Sequence, residues 1–332
     1  MKTKRKLRAL FYGVTHEHAY GKFMSLRRLS EDYEIVAVVD DRPCGTVHFL
    51  DEKLDVDEVR RAGIPVISEA DAQALGDIDV VFIETANTDL MAVAGHYVAR
   101  GTPMHCDKPC GEEREPYRTL LLECRAKNLP FQIGYMYRGN PALQWIWREV
   151  AAGAIGAVRF VEADMIHNYQ KGNYEQFIGQ FRGGIFYNLG CHLVDMLYPL
   201  VGGAPVEAVQ SQVEGTRALA YFRFGGGTEA ILRASAGLAG GILARRLRID
   251  GTKGTLDLSP IERFDGRELT VRIVADGREE VRSFGVQTDR YAPQLRELAE
   301  IVRGTRPNDQ DYVRDGWVHA TTHQACQANM RF

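Results

Sequence analysis

Hydrophobic positions in the first 136 residues fall into short unbroken runs separated by stretches of helical spacing. The runs are Leu7–Tyr12, EIVAVVDD at 34–41, IPVIS at 64–68, DVVFIET at 79–85, PMHCD at 103–107 and FQIGYM at 131–136. Each has strand length, and strands that do not alternate apolar with polar belong to a sheet covered on both faces. The stretches between them, 14–30, 56–63, 71–75, 90–100 and 116–127, read as helices. Gly63 and Gly101 stop two of them, and Pro116 stands in the first turn of another. Strand and helix alternate throughout, which predicts a doubly wound parallel sheet with right-handed crossovers.

The pattern then changes. A helix over 141–151 and a long strand over 157–167 lead to GGIFYNLGCHLVDML at 183–197. If that stretch is helical from Asn188, then Asn188, His192 and Asp195 share a face at i, i+4 and i+7. Leu189, Leu193, Met196 and Leu197 surround them, and a helix apolar on most sides is buried. The polar line then points into a cleft or is a paired core network. From about 205 the chain is a succession of strands with turns such as GTKG and ADGR, which predicts an antiparallel sheet. Helices over 291–303 and 312–328 close the chain. No Ser/Pro/Gly-rich tether marks the change near 136–140, so two abutting domains are expected, 1–137 and 138–332.

Composition narrows the function classes. A formal charge of −3 argues against nucleic acid or an anionic membrane as the main partner. The basic start MKTKRKLRAL precedes no long apolar run, so neither a signal peptide nor a membrane span is expected. The six cysteines match no zinc spacing and suit a reduced, cytoplasmic setting. His319 and His323 stand at i, i+4, but HATTH lacks the glutamate of the zinc-protease motif. No metal is expected.

In an open parallel sheet, ligands bind beyond the carboxyl ends of the strands. Those ends carry Gly13 to His18, Asp40-Asp41-Arg42, Thr85-Ala86-Asn87 and Asp107-Lys108-Pro109. The dinucleotide fingerprint G-x-G-x-x-G is met only at Gly13. Thr15 and His18 stand at its other two glycine positions. Asp40 suits a ribose diol and repels a 2′-phosphate, which favours NAD, while the neighbouring Arg42 leaves NADP open. Gly13, Thr15, His16, His18, Asp40, Arg42, Thr85, Asn87 and Lys108 are the candidate cofactor-binding residues. His96 and His105 read as packing residues. Lys108 precedes a proline, which biases its backbone away from the helical region and so positions it.

Several motifs in order resemble the Gfo/Idh/MocA oxidoreductase family. Cys106-Asp107-Lys108-Pro109 is similar to its E-K-P segment, and Asn188 to Asp195 resembles its D-x-G-x-H-x-x-D segment. Gly134 to Arg138 with Asn140-Pro141, the turn Gly251 to Thr255, and the closing helices resemble further family segments. The resemblance implies an N-terminal Rossmann domain and a C-terminal α/β domain with a large open, mainly antiparallel sheet. It implies a nicotinamide cofactor, NAD or NADP, and a sugar or polyol substrate. By position, Lys108 and His192 are its acid/base pair, with Asn188 and Asp195 beside them in the catalytic set. Asn188 stands where the family has aspartate, and an amide takes up no proton. Tyr137, Arg138, His167 and Asn168 are the expected substrate-binding residues.

Three functions are compatible with these expectations. One is a dehydrogenase acting on a secondary alcohol. Another oxidises transiently, eliminates a group and reduces again, with no net NADH change. The third is a non-catalytic nucleotide-sensing protein. Arg223, Arg233, Arg248 and Arg272 recur on the C-terminal strands, either as a solvated face or as the face of a homo-oligomer, a dimer or tetramer, with Glu162 and Asp164 as partners.

Overall fold

A computed structural model describes residues 5–42, 54–169 and 173–328. The chain divides into two compact units, Met1–Met136 with Tyr291–Tyr312, and Tyr137–Arg290 with Val313–Phe332.

The first unit runs β1 (Leu7–Tyr12), α1 (Ala19–Arg28), β2 (Tyr33–Val39), α2 (Val56–Arg61), β3 (Val66–Ile67), α3 (Glu69–Ala74), β4 (Val80–Ile83), α4 (Leu90–Arg100), β5 (Met104–Cys106), α5 (Arg114–Ala126) and β6 (Phe131–Ile133). Its six strands lie in the order β3-β2-β1-β4-β5-β6, and every pairing is parallel. This is the doubly wound sheet the apolar runs predict. The order reverses between β1 and β4, the point at which such sheets bind ligands. Phe11 and Phe23 pack edge to face, as do Tyr33 and Phe82, and all four are buried.

Two boundaries differ from expectation. Helix α1 begins at Ala19, so residues 14–18 form the loop after β1. The segment Tyr291–Tyr312 returns to the first unit, so a single cut at 137 does not divide the chain. Its helix buries Leu295, Leu298 and Ala299 in one core with Leu7, Phe23 and Tyr33. The Tyr33 hydroxyl donates to the Leu295 carbonyl at 2.5 Å, and Arg303 pairs with Asp32 at 2.7 Å.

Gly13 joins β1 to this loop with φ +99°, and a Cβ there would meet the Thr85 nitrogen at 2.5 Å. Backbone strain and overpacking against main chain then act together. Gly13→Ala is expected to cost about 2–5 kcal/mol, read as a fall in the urea midpoint.

The second unit runs α6 (Pro141–Ala151), β7 (Val158–Ile166), α7 (Tyr174–Gly179), a π-helical turn Phe186–Gly190, α8 (Cys191–Val201), and the strands β8 (Val206–Glu214), β9 (Arg217–Phe224), β10 (Glu229–Ser235), β11 (Arg246–Gly251), β12 (Gly254–Leu258), β13 (Glu268–Ala275) and β14 (Arg278–Val286). The closing helices are α9 (Ala292–Val302), which packs in the first unit, and α10 (Tyr312–Gln327). The strand order is β14-β13-β12-β11-β7-β10-β9-β8, antiparallel except where β10 pairs with β7. Strand β9 buries Ala218, Ala220, Phe222 and Phe224 and turns Arg217, Leu219 and Arg223 outward, the alternation of a sheet with one covered face. On the outer face arginines find partners within the chain: Arg233 with Asp164 at 2.9 Å, Arg272 with Glu279 at 2.9 Å, Arg223 with Glu207 at 3.5 Å.

The helix expected from Asn188 starts earlier, with the π turn ahead of α8. Gly190 makes room for the turn, because a Cβ there would lie 2.7 Å from the Phe186 ring. The glycine's close neighbour is therefore the chain's own aromatic ring. Among the described residues, no helix is long and apolar enough to cross a membrane.

Candidate functional site

At the β1/β4 reversal of the first unit, the loop after β1 is tied down by its own side chains. The Val14 amide donates to Asp41 Oδ1 at 2.8 Å, the Thr15 hydroxyl donates to Asp41 Oδ2, and the Thr85 hydroxyl does so at 2.6 Å. The His16 amide donates to the Glu84 carbonyl at 3.0 Å, and the His18 amide to His16 Nδ1 at 3.1 Å. A glycine fingerprint leaves such amides open to a diphosphate. Here three of them serve the protein. Asp40, at the end of β2, keeps a partly exposed carboxylate paired with Arg42 at 2.6 Å. These residues fit a dinucleotide at its ribose, through Asp40. At the diphosphate, Asp41 would have to release the Val14 amide.

Behind this loop lies a buried charged cluster. Asp107 Oδ2 accepts from Lys22 Nζ at 2.6 Å and stands 2.9 Å from His18 Nδ1 and 3.1 Å from His16 Nδ1. Its Oδ1 accepts from the Lys108 amide at 2.6 Å. Lys22 also donates to Glu84 Oε1 at 2.8 Å. Lys108 Nζ donates to Glu17 Oε1 at 2.9 Å, and Asn87 Nδ2 lies 3.1 Å from His16 Nε2 and 3.3 Å from the Lys108 carbonyl. Burial pushes His18 down to about 4, against the pull of Asp107, so its imidazole is neutral at pH 7. Burial pushes Glu17 up, but Lys108 and then His18 and His16 outweigh it and bring Glu17 to about 2. Burial and the adjacent Asp107 raise Glu84 well above the carboxylate range.

The structure thus brings His16, His18, Asn87 and Lys108 together, while Thr15 and Thr85 meet on Asp41. Lys22, Glu17 and Glu84 are missed by the sequence reading. The available signal was a carboxylate ending the apolar run of β4 and a lysine on the buried side of α1.

In the second unit, His192 lies in the first turn of α8 with its ring edge-on to Tyr137, centroids 5.2 Å apart. The Tyr137 hydroxyl donates to Glu262 at 2.6 Å and accepts from Arg245 at 2.5 Å. Arg245, fully buried, also contacts Glu262 and His167 and donates to the Ile166 carbonyl at 3.0 Å. Burial pushes the Tyr137 hydroxyl up, and it titrates outside the working range. Burial pushes Glu262 up, but Arg290 and Arg245 hold it below its ordinary value. His192, Tyr137 and His167 therefore share one cluster, to which Arg245 and Glu262 add charges that no sequence spacing indicated.

The remaining residues lie elsewhere. Arg138 pairs with Asp195 and Asp315, each at 2.7 Å, and Arg314 pairs with Asp195 at 2.8 Å. Asp195 is thus an arginine-held carboxylate. Asn188, fully buried, donates to the Tyr174 hydroxyl at 3.4 Å. Asn168 is exposed and bridges to Gly237 on the backbone.

Residues 144–257 match the family model of the GFO/IDH/MocA C-terminal domain. The rhizopine catabolism protein MocA of Rhizobium meliloti is 29% identical over 130 residues, 39% of this chain and 40% of that protein. The match spans less than half the length of this curated relative. Among solved structures, UDP-N-acetylglucosamine 3-dehydrogenase GnnA from Acidithiobacillus ferrooxidans superposes with a TM-score of 0.77 at 21% identity, covering 98% of both chains. An oxidoreductase from Agrobacterium radiobacter, in complex with NAD+, L-tartaric acid and magnesium, gives 0.79 at 15% identity over 98% of this chain and 96% of its own. These structural likenesses establish a shared fold.

Proposed function

We propose, from the Gfo/Idh/MocA C-terminal domain this chain carries and its Rossmann-type first unit, that it is an NAD(P)-dependent oxidoreductase acting on a secondary alcohol of a sugar, polyol or sugar derivative. The observation that carries the reading is the parallel order β3-β2-β1-β4-β5-β6 with Asp40 ending β2 and Lys108 following β5. Asp40 holds the ribose diol, and Thr85 and Asn87 lie at the end of β4. The nicotinamide, when bound, supplies the hydride acceptor. His192 takes the hydroxyl proton as general base, and Lys108 is its acid partner, with an ammonium that stabilises developing negative charge. Tyr137 and His167 belong to the substrate side. We further propose that the outer face of the second unit's sheet is where copies of the chain associate, an idea that a monomer in light scattering would remove.

NAD is the preferred cofactor, because the Asp40 carboxylate opposes a 2′-phosphate. Asp40→Ala is expected to shift the NAD-over-NADP preference by about tenfold or more toward NADP, read as the ratio of kcat/KM for the two cofactors.

A second reading, a nucleotide-sensing protein without turnover, draws support from Asp41 filling the diphosphate turn and from the amide at 188. The deciding experiment follows nicotinamide absorbance with NAD and NADP over inositols, aldoses and sugar acids. A net absorbance change supports the dehydrogenase. Product without a net change supports transient oxidation. Nucleotide binding without any product supports the sensor.

A further inference from the structure

The buried cluster of the first unit contains more ligating atoms than the proposed reaction uses. His16, His18 and Asp107 each bring one such atom, and the three lie within 4.8 Å of one another. Donors of a tetrahedral zinc ion, at about 2.0–2.2 Å from the metal, stand roughly 3.3–3.6 Å apart. The distances of 2.9 Å from His18 Nδ1 and 3.1 Å from His16 Nδ1 to Asp107 Oδ2 are a few tenths of an ångström short of that. A further carboxyl group lies beside these three without belonging to their 4.8 Å set. Glu84 Oε2 is buried with no hydrogen-bond partner among the described residues, and it lies 3.7 Å from His16 Nδ1. Gly134 keeps the space open, because a Cβ there would come within 2.7 Å of Asp107 Oδ1.

The protons of His16 give an independent argument. With its proton on Nε2, the ring donates to the Lys108 carbonyl at 3.2 Å beside the Asn87 amide nitrogen at 3.1 Å, and the Nδ1 lone pair then faces Asp107 and Glu84. With its proton on Nδ1, Asp107 is satisfied, but that proton meets the His18 amide proton, which points at the same nitrogen from 3.1 Å. Each neutral tautomer therefore leaves a conflict at Nδ1. A cation on Nδ1 resolves the conflict with both carboxylates, at the expense of the His18 amide contact. The Nε2–H to the Lys108 carbonyl then orients the ring, as the outer partner of a metal-bound histidine does.

We propose that His16, His18 and Asp107, with Glu84 drawn in as fourth donor on metal uptake, form a zinc-class divalent-metal site at the carboxyl ends of β1, β4 and β5. Two imidazoles and two carboxylates are a donor set suited to zinc. Lys22 is the competing cation. It touches Asp107 Oδ2 at 2.6 Å and Glu84 Oε1 at 2.8 Å. On metal uptake it yields the first contact and keeps the second, which leaves Glu84 Oε2 for the metal. The proposal goes beyond the oxidoreductase reading and does not rest on it, and it is tested without cofactor or substrate.

The full chain, stripped with a chelator, is titrated with zinc chloride by calorimetry and with cobalt chloride by visible absorption. One equivalent of zinc per chain is expected, with the intense visible bands of four-coordinate cobalt. His18→Ala and Asp107→Asn, checked for folding by circular dichroism, should each weaken uptake by more than the about 10–100-fold typical of an outer-shell partner. Lys22→Met should tighten it by removing the competing ammonium, and His323→Ala should leave it unchanged. If His18→Ala does not fold, the cobalt spectrum of the unaltered chain decides. No uptake, a weak six-coordinate cobalt spectrum, or uptake kept in His18→Ala and lost in His323→Ala would overturn the site.

Discussion

Asp195→Ala is expected to cost the second unit about 3–5 kcal/mol, because it strands buried positive charge. Asp195 is 1% exposed, and its Oδ1 accepts from both Arg138 and Arg314, with Arg314 also donating to its backbone carbonyl at 2.9 Å. Arg138 keeps Asp315 as its remaining partner, and Arg314 stacks over Trp147 at 4.9 Å. Neither contact replaces the carboxylate that joined the two guanidinium groups. Asp195→Asn should lose less, since an amide oxygen in the place of Oδ1 still accepts from both arginines. The measurement is the midpoint of the second unit's transition in thermal or urea unfolding. The chain has two units, so one apparent midpoint for the whole chain would be misleading.

The same carboxylate gives a pH dependence of definite sign. Burial pushes Asp195 up, but Arg138 and Arg314 outweigh it and hold it below the ordinary aspartate value. A folded pKa below the unfolded one gives stability that is fully present above the unfolded value and lost as pH falls through the folded one. Asp315 works the other way. Burial raises it, with Arg138 opposing, so its ionisation takes back part of that stability as pH rises past its unfolded value. The wild-type chain should therefore lose stability on acidification, and the loss should be smaller in Asp195→Ala. An equal acid loss in the variant would remove Asp195 as its source.

The elements were legible where one local rule governed them. Six buried runs with helices between them allow little except a parallel sheet, and Asn140 before Pro141 marks the start of α6, where its side chain accepts from the Ala142 and Leu143 amides. Partners far apart along the chain were not legible. Lys22 meets Glu84 across 62 positions, and Arg314 meets Asp195 across 119. The resemblance put Asp195 in the catalytic set beside His192. The structure gives it to arginines whose positions no periodicity encodes. The loop at 14–18 read as helix because its spacing suits one, but its amides are taken by the Asp41 and His16 side chains and by the Glu84 backbone carbonyl. Side-chain acceptors there compete with helical hydrogen bonds, and a pattern of apolar positions carries no information about them.

Lys108→Ala and His192→Ala should each lower kcat on a substrate that is turned over by about 10²–10⁴-fold, the usual contribution of general acid/base groups. Under the proposed assignment, the two losses should not multiply in the double variant. Glu17 supplies a third arm. It grips the Lys108 ammonium at 2.9 Å and is itself ionised down to about pH 2. A carboxylate so placed favours the charged lysine and fixes its nitrogen. Glu17→Gln should therefore lower kcat less than Lys108→Ala does and leave KM nearly unchanged. It should also move the alkaline limb of the kcat profile to lower pH, because the ammonium loses its counter-charge. A purely structural role for Glu17 would reduce the amount of folded enzyme without moving that limb. Near-wild-type rates in both Lys108→Ala and His192→Ala would exclude the acid/base assignment while leaving the fold, the ribose carboxylate and the metal site each to its own test.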